Sequence, residues 1–117
     1  MEEIKVGEYI RTIEPYGEIF KVIGIGKEEV LIVDSYENSL VATGYVKKHS
    51  SNIIDVIEVG DYVNGYKVKG KTNNKVLVNY YMYSEQLAGG FWLTFYEDEI
   101  KNIVTHEQFN SIKYEVI

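Results

Sequence analysis

A seven-residue pattern occurs twice, and that duplication limits the fold more than any other feature of the chain. Ile4-Lys5-Val6-Gly7-Glu8-Tyr9-Ile10 returns as Ile57-Glu58-Val59-Gly60-Asp61-Tyr62-Val63, 53 positions later. Phe20-Lys21-Val22 returns as Tyr66-Lys67-Val68, and Val30-Leu31-Ile32 as Val76-Leu77-Val78, both 46 positions on. Asn52-Ile53-Ile54 matches Asn102-Ile103-Val104 at a spacing of 50. Chance supplies one such match readily; four in the same order predict two copies of one module, residues 1–56 and 57–117. The spacing changes only around Thr12 to Gly17 and around Ser84 to Gly90, where surface loops absorb extra length cheaply. The seam Asp55-Val56-Ile57-Glu58 is short and apolar, so the copies are expected to pack together as one compact unit.

Each copy reads as a series of short strands. The first offers Val6–Arg11, Glu18–Ile23, Val30–Val33 and Leu40–Val46; the second offers Asp61–Asn64, Tyr66–Gly70, Lys75–Tyr83 and Phe91–Tyr96. Their apolar residues are mostly β-branched or aromatic, as a half-buried pleated surface prefers. Thr72-Asn73-Asn74 separates two runs as a hairpin turn. Thr105 and Gln108 have capping-box spacing, which predicts a helix running to about Ser111, with Lys113–Ile117 extended again. No segment sustains a 3.6-residue apolar stripe. The expected fold is mainly β: two tandem small barrel-like repeats with one short C-terminal helix.

The opening V-G-[DE]-Y of each copy, followed by F/Y-K-V and V-L-[IV], resembles Src-homology-3-like barrels of the KOW and Tudor kind. The whole chain is similar to small proteins encoded by phages and prophages of Gram-positive bacteria. That likeness is carried by residues 49–65, from His49-Ser50-Ser51-Asn52 to Val63-Asn64-Gly65, and by Ile103-Val104-Thr105-His106-Glu107-Gln108-Phe109. The resemblance implies a mobile-element origin and brings no active-site residue with it.

Charge narrows the partners. The 117 residues carry 18 acidic and 12 basic side chains, a net charge of -6, and the pI is near 4.9. Duplex binding gains affinity by neutralising phosphates with Lys and Arg, so this balance argues against direct nucleic-acid binding. Lys67, Lys69, Lys71 and Lys75 are the local exception; the first three share one face of a strand and read as a solvated sheet face. No apolar run approaches the roughly 20 residues of a membrane-spanning helix, and Met1-Glu2-Glu3 lacks the cationic start of a secretion signal. The expected location is the cytoplasm of a bacterial host.

Catalysis needs a positioned acid, base or nucleophile. Cysteine is absent, which removes thiolate chemistry and disulfides. His49 and His106 occupy non-equivalent places in the two copies and neither has metal-ligand spacing. Glu28-Glu29 and Glu97-Asp98-Glu99 lack the ligand pattern of a calcium loop, and Gly24-Ile25-Gly26 lacks the helix that a phosphate cradle requires. No catalytic residue, metal site or cofactor is expected, and the chain is not expected to be an enzyme.

Aromatic content is where the composition departs from average, with eleven tyrosines. Tyr80-Tyr81-Met82-Tyr83 and Phe91-Trp92-Leu93-Thr94-Phe95-Tyr96 place aromatic area on both faces of their strands. One face serves the core; the other serves either the packing of the two copies or a binding patch. Tyr81, Tyr83, Trp92, Glu97, Asp98 and Glu99 are the expected partner-binding residues. The expected partner is a basic, nucleic-acid-binding host protein, met by an acidic, tyrosine-rich surface in the manner of an anti-CRISPR inhibitor. Two other readings stand beside it. One is a sponge for a nucleotide signal, holding its phosphates with the Lys67–Lys75 group. The other is a self-associating phage structural component.

Overall fold

Alternating β-branched residues form ten strands in a computed structural model, which describes residues 3–14, 17–34, 37–81 and 90–113, with side chains at 34, 79–81, 91, 92 and 110–113 outside the description. The first half carries β1 (Tyr9–Thr12), β2 (Ile19–Ile25), β3 (Glu29–Asp34), β4 (Glu37–Ala42), a 3-10 turn (Thr43–Tyr45), β5 (Val46–Ser50) and α1 (Ile53–Val56). The second half repeats that order as β6 (Tyr62–Val63), β7 (Tyr66–Lys71), β8 (Lys75–Tyr81), β9 (Gly90–Tyr96), a 3-10 turn (Glu97–Glu99), β10 (Ile103–Val104) and α2 (His106–Lys113). The chain is mainly β, with two five-stranded antiparallel sheets ordered β4-β3-β2-β1-β5 and β10-β6-β7-β8-β9 and a short helix near its C-terminus.

The two sheets agree in register as well as in order. Val22 pairs with Ile32 and, after a bulge, Gly24 pairs with Leu31. Val68 pairs with Val78 and, after the same bulge, Gly70 pairs with Leu77. The Gly7 amide donates to Val22 O at 2.9 Å and the Gly60 amide to Val68 O at 2.9 Å. Both glycines hold positive φ, 92° and 100°, which L side chains rarely adopt, so the shared V-G-[DE]-Y is a backbone requirement. Asn64 and Gly65, at φ 52° and 86°, form the two-residue turn between β6 and β7 with the mirror-image geometry that hairpins favour.

Register corrects one of the four sequence matches. Tyr9 and Ile10 pair with Ser50 and His49, whereas Tyr62 and Val63 pair with Val104 and Ile103. Ile103-Val104 therefore takes the place of His49-Ser50, not that of Ile53-Ile54. The connection between third and fourth strands is eight residues in the second half against two in the first, and Val78 pairs with Leu93 while Ile32 pairs with Ser39. A three-residue apolar match is too short to fix register across such an insertion. The expected strand Leu40–Val46 is likewise broken, since the chain turns at Thr43–Tyr45 to cross from β4 to β5. The helix runs to Lys113 where an extended segment was expected, and residues 114–117 lie outside the described residues.

Each half has its own apolar centre. Ile4, Ile10, Val22, Val30, Ile32 and Val46 fill the first, and Ile54, Ile57, Val63, Val68, Val76 and Val78 fill the second. Ile54 is the exception in origin: it belongs to α1 of the first half and is buried in the second core, with Ile19 and Ile53 packed against the same cluster. Asn52 caps α1 by accepting the Ile54 amide. The Lys71 ammonium donates to the carbonyls of Ile54 at 2.9 Å and Ile57 at 2.5 Å. It adds a second donor to the Ile54 carbonyl, which also accepts the Ile57 amide, and places a cation at the C-terminal end of α1.

Candidate interaction surface

Alternation along β1 turns Ile10 into the first core and Arg11 to the opposite side, where the second half covers it completely. Arg11 Nη1 donates to Asp61 Oδ2 at 2.5 Å and to Val56 O at 3.0 Å. Its Nη2 donates to Asp61 Oδ1 at 2.9 Å and to Glu107 Oε1 at 2.5 Å. Asp61 also accepts the backbone amides of Glu58 at 2.7 Å and His106 at 2.9 Å, so it anchors the start of α2 as well. Thr105 and Gln108 close that helix end reciprocally, as their spacing predicted. A bidentate guanidinium–carboxylate pair deep in the seam therefore joins β1, the approach to β6, and α2.

Glu58 extends the network outward. It lies 2.9 Å from His106 Nε2, 3.0 Å from Lys47 Nζ and 3.2 Å from Lys48 Nζ. Burial alone would raise its carboxyl, but the hydrogen bonds from His106, Lys47 and Lys48 and the Arg11 charge reverse this and hold it at about 2, against an ordinary 4.5. The folded state thus binds this proton more weakly than the unfolded chain. The stability Glu58 supplies is present above pH 4.5 and is lost as the pH falls from 4.5 towards 2. Urea unfolding across that range is expected to show the loss in the parent chain and a shallower slope in Glu58→Gln. Equal slopes in the two proteins would contradict the assignment.

Glu58, His106 and Glu107 each bring a ligand atom within 4.8 Å of the others. Local spacing could not reveal this cluster, because Glu58 is distant in sequence from the other two. The cation these oxygens already face is Arg11, bonded to Glu107 and 3.5 Å from Glu58 Oε2. A metal ion bound there would sit against a guanidinium that cannot lose its charge. With Arg11 and Asp61 wholly buried, the arrangement joins the two halves. His49 lies on β5 with Nδ1 3.0 Å from Glu8 Oε1.

The expected partner-binding residues fall into two groups. Tyr81 and Trp92 occupy strands β8 and β9, paired with Gly90 and Asn79; their side chains, and Tyr83 entirely, lie outside the described residues. Glu97, Asp98 and Glu99 are all exposed and form a 3-10 turn. Glu99 is partly committed, its Oε1 accepting the Tyr96 amide at 3.0 Å. Tyr96, 45% exposed, adjoins this acidic turn at the end of β9.

Lys67 and Lys69 are exposed on one side of β7. The expectation that Lys71 shares it fails: past the bulge between Val68 and Gly70, Lys71 pairs with the buried Val76 on the other side, although it too stays exposed. Lys71 is nevertheless drawn back onto the carbonyls at the end of α1, and desolvation followed by repulsion from Lys48 lowers its pKa. Elsewhere, a cavity of about 360 Å3 is lined by Tyr9, Phe20, Lys21, Ile53, Ile100 and Lys101, side chains from both halves. A second, of about 550 Å3, opens at the mouth of the first sheet between Phe20, Val41 and Tyr45. No protein-family model, curated protein or solved structure matches this chain.

Proposed function

We propose that this chain is a non-enzymatic protein-binding protein of mobile-element origin, which docks on a basic, nucleic-acid-binding host protein and blocks it. An inhibitor of an antiviral defence effector, of the anti-CRISPR kind, fits this best. The observation carrying the reading is the exposed turn Glu97–Glu99 beside the exposed Tyr96. Three adjacent carboxylates imitate the charge of a phosphate backbone, and an adjoining aromatic ring supplies rigid contact area at low entropic cost. Among the basic side chains, Arg11, Lys47, Lys48 and Lys71 are engaged within the fold and do little to offset that charge outside.

Affinity capture from a bacterial lysate tests it. Recovery of a basic host protein is expected to fall several-fold between about 0.15 M and about 0.5 M salt, because the screening length shortens over that range. Glu97→Lys combined with Asp98→Lys is expected to weaken capture comparably while leaving the unfolding midpoint in place. Salt-independent capture, or capture indifferent to the two substitutions, would contradict the proposal.

The cavity between the halves favours a second reading, a binder of a small aromatic anion, because Tyr9 and Phe20 stand there with Lys21 and Lys101. A thermal-shift series with cyclic nucleotides separates the two. No shift with any of them removes the second reading.

A further inference from the structure

The two halves differ where their cores open to solvent. In the first sheet Val30 and Ile32 pair with Val41 and Ser39; in the second Val76 and Val78 pair with Phe95 and Leu93. Two large apolar side chains thus close the second core, and two smaller ones leave the first open. The space left is the cavity of about 550 Å3, whose apolar walls include Ile13, Phe20, Ile32, Leu40, Val41 and Tyr45. Leu40 is 61% exposed and Tyr45 59%.

This cavity lies beside a sheet edge. β4 ends the first sheet, paired with β3 alone among the described strands. The Thr43 amide donates to Glu28 O at 2.9 Å, and antiparallel alternation from that pair turns the amides and carbonyls of Ser39 and Val41 towards β3. The same alternation turns those of Asn38, Leu40 and Ala42 outward. Acidic side chains mark both ends of the edge, with Glu37 at one and Glu28 and Glu29 at the other, all exposed. Glu18 and Glu29 line the cavity itself, and no Lys, Arg or His is among the residues described as lining it.

We infer that the β4 edge and this cavity form a docking groove for an extended segment of a partner protein, one that alternates apolar residues with Lys or Arg. The added strand pairs with the outward backbone groups of Asn38, Leu40 and Ala42. Its residues beside Ser39 and Val41 put apolar side chains into the cavity, and its cationic residues meet the carboxylates at the ends of the edge. The inference goes beyond the proposed function, since this groove is a different surface from the Glu97–Glu99 turn, and rests on its claim that the partner is a basic protein.

The test uses the isotope-labelled full chain and two capped peptides, one alternating Lys with Val and Leu, the other with Glu in place of Lys. The Lys peptide is expected to shift the amides of residues 38–42, Ile13 and Tyr45, and the Glu peptide to bind at least about tenfold more weakly. Ser39→Leu combined with Val41→Phe copies the closed second half into the first, and is expected to weaken the Lys peptide at least about tenfold. Should that variant misfold, Leu40→Pro removes an outward amide without taking a bond from the β3 ladder, and the same loss is expected.

Shifts centred elsewhere, equal binding of both peptides, or indifference to both variants would overturn the groove. Shifts at residues 38–42 that arise on concentrating the chain alone would assign the edge to a second copy and overturn the partner assignment. Host-protein capture that persists in the filled-cavity variant overturns the groove but leaves the proposed function standing. Groove binding without any host capture does the reverse.

Discussion

Arg11→Met is expected to lower the free energy of unfolding by about 3–5 kcal/mol, the usual consequence of removing one partner from a buried ion pair. The methionine fills the same space, but Asp61 and Glu107 stay buried without their counter-charge. Asp61 keeps two backbone amides. Glu107 loses the guanidinium that binds its Oε1, and its Oε2 has no hydrogen-bond partner among the described atoms. The penalty should therefore be smaller when Glu107→Met is made together with Arg11→Met. Denaturant titration of the parent, both single variants and the double is expected to give a coupling of at least about 1 kcal/mol. Strict additivity would mean that the pair seen in the seam does not hold the fold together.

Ile54→Ala is expected to cost about 2–5 kcal/mol, the range for truncating a fully buried isoleucine. Its interest lies in where the cavity forms. Ile54 stands on the first half's short helix and is 1% exposed inside the second half's core. The truncation should weaken protection of Val68, Val76 and Val78, although the substituted residue belongs to the other half. A loss confined to the first half, or below about 0.5 kcal/mol as for an ordinary surface change, would contradict the packing.

Local patterns made much of this fold legible. The two V-G-[DE]-Y segments announce a repeated glycine turn because a positive φ selects residue type directly, and the capping residues Thr105 and Gln108 announce a helix start for a similar reason. Other features depend on distance and were hidden. Arg11 meets Asp61 and Glu107 across 50 and 96 positions, and no spacing rule connects them. One clue was available: Arg11 is the chain's only arginine among 12 basic side chains, set between Ile10 and Thr12 on a strand. Such isolation suits a planar, permanently charged group chosen for a buried bidentate contact.

The surface was harder to read. Glu97-Asp98-Glu99 follows an aromatic strand, and nothing in three adjacent acids specifies the 3-10 turn into which the backbone tightens there. The open mouth of the first half depends on Ser39 and Val41 taking the places that Leu93 and Phe95 hold in the second. That equivalence emerges only once strand pairing has set the register. The offset of 46 that aligns the third strands fails for the fourth, so comparing the copies by eye pairs the wrong residues.

The account depends on the halves being joined through the Arg11 network and Ile54 into one cooperative unit, with exposed surfaces left to do the binding. Native-state hydrogen exchange, read residue by residue, tests this most directly. Slow amides at Ile10, Val22 and Ile32 should open with the same free energy as those at Val68, Val76 and Val78, and Arg11→Met should lower both sets together. If one half opens alone at a clearly lower free energy, or if Arg11→Met affects only one set, the two halves are independent domains and the account fails.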